Sequence, residues 1–301
     1  ENFGGLVKVK KQKLRREITI FGNKYAKQML KKILFFVVIF TFGFVFSQNK
    51  SFIYELEFRP SLTKDSISKE RFVLDVLNGK SIFRTIEEKK SDSTFHTTRR
   101  FSFTTTSFKD FLSVNKDLKS GNTHKFIHNF KNLFTIKIEE ELNWKIEEET
   151  REILQMKTQK AKVIYGGRNW TAWFTSEIPI SDGPYVFQSL PGLILEIYDD
   201  NNDYHFSLVQ IKNSDGKLYD KDKALPISWK QYEKLALDYF SDPTREINGK
   251  NTGGSMQIIK WQDENGREFT PNFKEMNERE QKKIRENNNP VELNHKITYP
   301  K

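Results

Sequence analysis

Past residue 48 the chain alternates apolar and polar positions far more than it repeats every third or fourth residue. Phe52, Tyr54, Leu56 and Phe58 fall on one side of a period-2 pattern, and Ile53, Glu55, Glu57 and Arg59 on the other, before Pro60 stops it. Two β-prone runs, 71–77 and 80–85, are joined by Asn78-Gly79, the strongest short hairpin signal. Strand character continues through 94–107, 126–130, 133–140, 143–150, 153–165, 168–176, 185–188, 193–198 and 204–211, with the polar turn 199–203 between the last two. Helical signals are few. Ser228 is an N-cap for a helix over 229–240 that Pro243 follows, and Thr270-Pro271 opens a charged helix over 272–286. The spacing also predicts a third helix over 108–118. Glu264-Asn-Gly266 reads as a second hairpin turn. Strands joined by short turns predict a mainly β (α+β) fold: one curved, largely antiparallel meandering sheet, open to a half-barrel, with two or three helices packed on it.

The N-terminus is of another kind. Met29-Leu-Lys-Lys precedes 14 apolar residues, Ile33 to Phe46, and then Ser47-Gln48. A charged start, a short apolar stretch and a small residue at the boundary read as a signal peptide over 29–47, cut before Gln48. Fourteen residues fall short of the roughly 20 that span a bilayer, so no transmembrane anchor is expected in the mature chain. Residues 1–28 read as an upstream extension outside the natural protein, leaving 48–301 as one β-rich domain.

That division changes the charge. The chain carries 50 basic and 40 acidic residues, a net of +10. Residues 1–47 hold ten of the basic and two of the acidic ones, so the remainder has 40 against 38. The basic pI belongs to the leader, and a nucleic-acid partner is not expected. There is no cysteine. Disulfides, thiol nucleophiles, Cys-ligated metals and a lipidated N-terminal Cys are therefore excluded, and the expected location is the periplasm, or outside the cell, as a protein that is not a lipoprotein.

The densest stretch is Arg168 to Asp199. In 168–176, Trp170, Ala172 and Phe174 fall on one face, and Asn169, Thr171, Trp173 and Thr175 on the other. One reading is a central strand with core on one side and a covering helix on the other. The second is an aromatic wall of a ligand site built from Trp170, Trp173, Tyr185 and Phe187, with Arg168 at the rim as an anion contact or paired to Glu177 or Asp182. Gly183-Pro184 and Pro191-Gly192 bracket Tyr185–Phe187, with a glycine free to take positive φ at each bend. Glu177 and Asp182 form a candidate acid/base pair. His124 and His128 are four apart, yet on a strand and with no third ligand they do not make a metal site. No Gly-x-Ser-x-Gly elbow, phosphate loop or dinucleotide fingerprint occurs, and no cofactor is expected.

The residues Ile153, Lys160-Ala161, Gly167-Arg168, Trp170, Ala172-Trp173-Phe174, Glu177-Ile178-Pro179, Gly183-Pro184 and Leu190-Pro191-Gly192-Leu193-Ile194-Leu195 resemble the exported GLPGLI family of Bacteroidetes. Asn289-Pro290-Val291-Glu292-Leu293 is similar to that family's ending. Ser189 stands where the family has its first Gly, and Gln155-Met156-Lys157-Thr158 replaces a Gly-Tyr-x-Cys pattern. The resemblance implies an exported β-rich protein of unestablished function and supplies no catalytic residues. The expectation is a non-enzymatic periplasmic binding module for an apolar or amphipathic ligand, with a lipid, peptide or envelope protein as partner. The alternatives are a periplasmic hydrolase using Asp/Glu chemistry and a purely structural envelope-assembly protein.

Overall fold

The chain divides into Glu1–Gln48 and Asn49–Lys301. A computed structural model describes residues 50–98, 108–129, 132–219, 221, 223–245, 247, 261–262 and 264–301, all of the second unit. The residues of the signal-peptide reading lie outside the described residues.

Two meanders make the sheet. The first is β1 (Lys50–Phe58), β2 (Ser68–Leu77), β3 (Lys80–Thr85), β4 (Phe108–Asp117), β5 (Thr123–Asn129) and β6 (Asn132–Ile138). The second is β7 (Lys145–Ile153), β8 (Met156–Tyr165), β9 (Arg168–Thr175), β10 (Leu193–Asp199) and β11 (Tyr204–Asn213). Antiparallel pairing of β1 with β11 fuses them, and the short β12 (Leu225–Pro226) adds a parallel edge beside β6, giving the order β12-β6-β5-β4-β3-β2-β1-β11-β10-β9-β8-β7. The sheet is mixed but largely antiparallel and does not close into a barrel.

It is strongly curved. β5 and β8 lie eight places apart, which in a flat sheet is roughly 38 Å. Yet Lys125 of β5 and Tyr165 of β8 both bond the carboxylate of Glu292, at 2.8 Å each. The inner face holds the core, including Tyr54, Phe72, Phe83, Trp170, Phe174 and Phe206.

Among the described residues three α-helices accompany the sheet: α1 (Ile86–Thr98), α2 (Trp229–Ser241) and α3 (Phe273–Glu286). α2 begins as expected, with a capping box between Ser228 and Gln231. α3 is capped by Asn272 rather than Thr270. The hairpin at Glu264–Gly266 forms between β13 (Trp261–Gln262) and β14 (Glu268–Phe269).

Four element assignments differ from the pattern reading. Residues 94–98 finish α1 instead of starting a strand. α1 opens on a Thr85–Glu88 capping box, the Glu88 amide donating to Thr85 Oγ1 at 3.1 Å and the Thr85 amide to Glu88 Oε2 at 3.3 Å. The predicted helix over 108–118 is strand β4, because β3 and β5 pair with it on both sides. The run 153–165 contains a turn at Leu154-Gln155, both with positive φ, that separates β7 from β8. The segment 185–188 is not a strand.

α1 also shows what holds a polar helix down. Its one fully buried side chain is Glu88, and ion pairs take the place of an apolar stripe. Lys221 reaches Glu88 at 2.7 Å, Arg84 reaches Asp92 at 2.8 Å and Lys89 reaches Asp75 at 2.8 Å. Burial alone would raise the Glu88 carboxyl, but Lys221 and His128 bring it down to about 2.

Candidate functional site

β9 divides its side chains as its alternation requires. Trp170, Ala172 and Phe174 enter the core. Trp173 faces the other way and is covered by the Arg151 guanidinium, 4.0 Å from its ring centroid, with Lys160 at 5.7 Å. A cation roof from β7 and β8 thus stands where a covering helix was expected.

Arg168 is only 4% exposed and is not at a rim. Its guanidinium reaches Asp199 at 2.8 Å and Asp203 at 2.9 Å through Nη1. Through Nη2 it donates to Asn289 Oδ1 (2.6 Å) and Pro290 O (2.9 Å), and through Nε to Val291 O (3.1 Å). It also lies 5.1 Å from the Tyr204 ring centroid. Neither Glu177 nor Asp182 is its partner. The planar fork is matched on every edge, which a lysine would not reproduce. Its purpose here is to lock the tail against β9 and the β10–β11 turn.

The segment between β9 and β10 fills the inner face. Left-handed backbone falls at Tyr185 (φ 51°), Ser189 (φ 76°) and Gly192 (φ 152°), not at Gly183. Gly183 is required for space instead, since a Cβ there would meet Ile194 Cδ1 at 2.7 Å. Phe187 packs on Trp170, ring centroids 4.7 Å apart. Tyr185 is fully buried and Trp173 is 3% exposed. The five residues read as a ligand wall, Arg168, Trp170, Trp173, Tyr185 and Phe187, are therefore all packed.

Two buried ion pairs pin this segment. Lys116 of β4 meets Asp182 at 2.5 Å and donates to Gly183 O at 2.7 Å. Lys125 of β5 donates to both Tyr185 Oη and Glu292 Oε2 at 2.8 Å, while Tyr165 and Tyr185 donate to Glu292 Oε1. Burial by itself would raise the Glu292 carboxyl, yet Lys125 and the two phenols overcome it and hold it low. Thus 153–199 and 289–293, far apart in sequence, meet in one buried knot. No local signal in the sequence announces Lys116 or Lys125 as members of it, whereas Glu292 lies in the 289–293 ending already singled out.

The proposed acid/base pair is not assembled for chemistry. Asp182 is sealed against Lys116, and Glu177 is an exposed carboxylate accepting the Lys157 amide at 2.8 Å. His128 meets Glu88 at 3.2 Å. Among the described residues no group of three or more His, Asp or Glu is placed to hold a metal, and no helix is long and apolar enough to cross a membrane.

Solvent does reach one side of the signature segment. A cleft of about 530 Å³ is walled by Val186, Gln188 and Ser189, floored by Tyr165, and rimmed by Ser120–Thr123 and Lys137–Asn143. Gln188 Nε2 donates to Gly121 O (3.0 Å) and Thr123 Oγ1 (2.8 Å), and Trp144 Nε1 donates to Gln188 O (2.8 Å), tying the walls together.

Ser189, on that wall, carries a Cβ in left-handed backbone, a cost of about 1–2 kcal/mol that glycine avoids. Ser189→Gly is expected to raise stability by about 0.5–1 kcal/mol after the glycine's extra unfolded-state entropy is counted. A chemical-denaturation midpoint equal to or below that of the parent would contradict this.

Fold and site together define a curved open-sheet protein whose inner face is stopped by its own signature segment and C-terminal tail. A family model described as "Protein of unknown function (Porph_ging)" matches residues 136–196, which takes in the 137–143 side of the cleft rim, β7, β8, β9 and the signature segment. No curated protein matches. Among solved structures, PNGF-II in its C2 and P21 crystal forms is 15% and 14% identical, covering 63% and 73% of this chain and 32% and 39% of that one, with TM-scores of 0.45 and 0.46. The chain thus spans little more than a third of the length of PNGF-II. The LolA superfamily protein NE2245 from Nitrosomonas europaea is 8% identical over 58% of this chain and 91% of that one, with a TM-score of 0.26. Likenesses of this strength leave the chemistry of the chain to its own residues.

Proposed function

We propose that the chain is a GLPGLI-type protein, exported by a cleaved signal peptide to the periplasm, that binds an amphipathic envelope ligand without catalysis. The supporting observation is the cleft beside the signature segment. The motif's inner side chains are consumed by packing, whereas Ser189 is exposed beside the cleft, opposite the 137–143 rim. Leu142 and Ile138 offer apolar surface, and the exposed Asn122 and Asn143 offer polar partners, the mixed lining that orients an amphipathic molecule. Burial of the five signature residues supports a second reading, a purely structural envelope protein. The two separate in one experiment. Titrating isotope-labelled protein with a bacterial envelope extract should shift the amides of 120–123, 137–143 and 186–189. Asn143→Trp, an exposed rim change that fills the cleft, should abolish those shifts while leaving the fold intact. Shifts confined to other regions, or none, would leave the structural reading standing.

A further inference from the structure

Lys116 and Asp182 are both completely shielded from solvent, and their Nζ···Oδ1 separation is 2.5 Å. The Tyr54 phenol is near enough to feel the Asp182 charge, and Ser81 and Thr123 stand opposite Lys116 on β3 and β5. Holding two separated charges in a site closed to water is costly. Burial pushes the Lys116 ammonium down despite the neighbouring carboxylate. The two carboxylate oxygens are unequal. Oδ1 accepts the Gly183 amide at 2.8 Å in addition to Lys116, whereas Oδ2 is buried with no partner among the described residues.

We propose that Lys116 and Asp182 condense into an intramolecular isopeptide bond, a covalent brace between β4 and the signature segment that forms once the chain has folded. The step balances without a co-reactant. One Nζ proton passes to the carboxylate, giving a neutral amine and a carboxylic acid. The Nζ lone pair attacks Cγ, which lies one bond behind Oδ1, and the Gly183 N–H holds the developing charge on Oδ1. The Cγ–Oδ2 bond breaks, and Oδ2 leaves as water with the transferred proton and a second one from Nζ. The amide keeps the third Nζ hydrogen, which still faces Gly183 O, 2.7 Å from Nζ. Two buried charges and an unpartnered oxygen are removed together.

A second buried lysine–carboxylate pair that pins the same segment, Lys125–Glu292, makes a useful contrast. There Lys125 and two phenols satisfy the carboxylate and hold it ionised, which makes its carbon a poor electrophile. The brace is therefore assigned to Lys116–Asp182. A chain with no cysteine has no disulfide with which to lock such a segment.

Tryptic mapping of the purified full-length protein tests this. Cleavage after Lys109 and Lys119, and after Arg168 and Lys212, should yield a branched species joining 110–119 to 169–212, lighter than the two peptides together by one water. Lys116→Arg keeps the cation but cannot condense, and should lose that species. Recovery of 110–116 and 169–212 as separate unmodified peptides overturns the proposal. So does a linear 169–212 peptide lacking one water, the sign of a succinimide at Asp182-Gly183, or a branch found at Lys125–Glu292 instead.

Discussion

Replacing Arg168 with alanine is expected to cost about 3–5 kcal/mol of stability, the range for removing one partner of a buried ion pair. Two carboxylates, Asp199 and Asp203, would be left in the core without their cation. Asn289 Oδ1 and the carbonyls of Pro290 and Val291 would lose their donor in the same stroke. Arg59 also approaches Asp203, but only at 3.7 Å and from a half-exposed position, so it is no substitute. Arg168→Lys should recover little, because one ammonium cannot face five acceptors at once. The loss should be local before it is global. The tail from 287 onward should become cleavable at Lys296 under limited trypsin while the strands stay resistant. A variant with an unchanged denaturation midpoint and an uncleaved tail would show that Arg168 does not fasten it.

Gly192→Ala should be at least as damaging, about 3 kcal/mol or more, by a different route. A Cβ at 192 would sit 2.0 Å from the Thr175 carbonyl oxygen and 2.6 Å from its carbon. The obstacle is backbone, so no side-chain rotation relieves it, and the junction of β9 with β10 must move. The φ of 152° adds strain for any L-residue. Gly121→Ala provides the control, since it too has positive φ, 75°, but nothing lies within 4 Å of its Cβ. It should cost only the left-handed penalty of about 1–2 kcal/mol. Equal midpoints for the two variants would refute the steric account.

The hairpins show how much was legible. Asn78-Gly79 adopts the left-handed pair its sequence demands, φ 53° and 79°, and joins β2 to β3. The alternation in 168–175 correctly places Trp170 and Trp173 on opposite faces. β4 was misread because its alternation is broken. Leu112 takes φ 54° and the pairing with β5 shifts between Lys109 and Ser113, so its apolar residues fall at helical spacing. α1 escaped for the opposite reason. It has no apolar periodicity to detect, and its anchors, Arg84, Asp75 and Lys221, come from other elements. The Thr85-Ile-Glu-Glu88 capping box was the one local signal available.

Sequence alone determined the strand-rich meander, the absence of cysteine chemistry, the amphipathic helix over 229–240 and the density of constrained turns between 168 and 199. These depend on side-chain period and backbone preference within a few residues, which a linear pattern records. Tertiary structure decided that Arg168 faces the tail and not solvent, that Asp182 lies against Lys116, and that the outer edge of the signature segment borders a cleft. Each of those pairings joins residues 31 to 123 positions apart. Charge complementarity at that range has many candidate partners in a chain with 50 basic and 40 acidic residues, and only the curvature of the sheet selects among them.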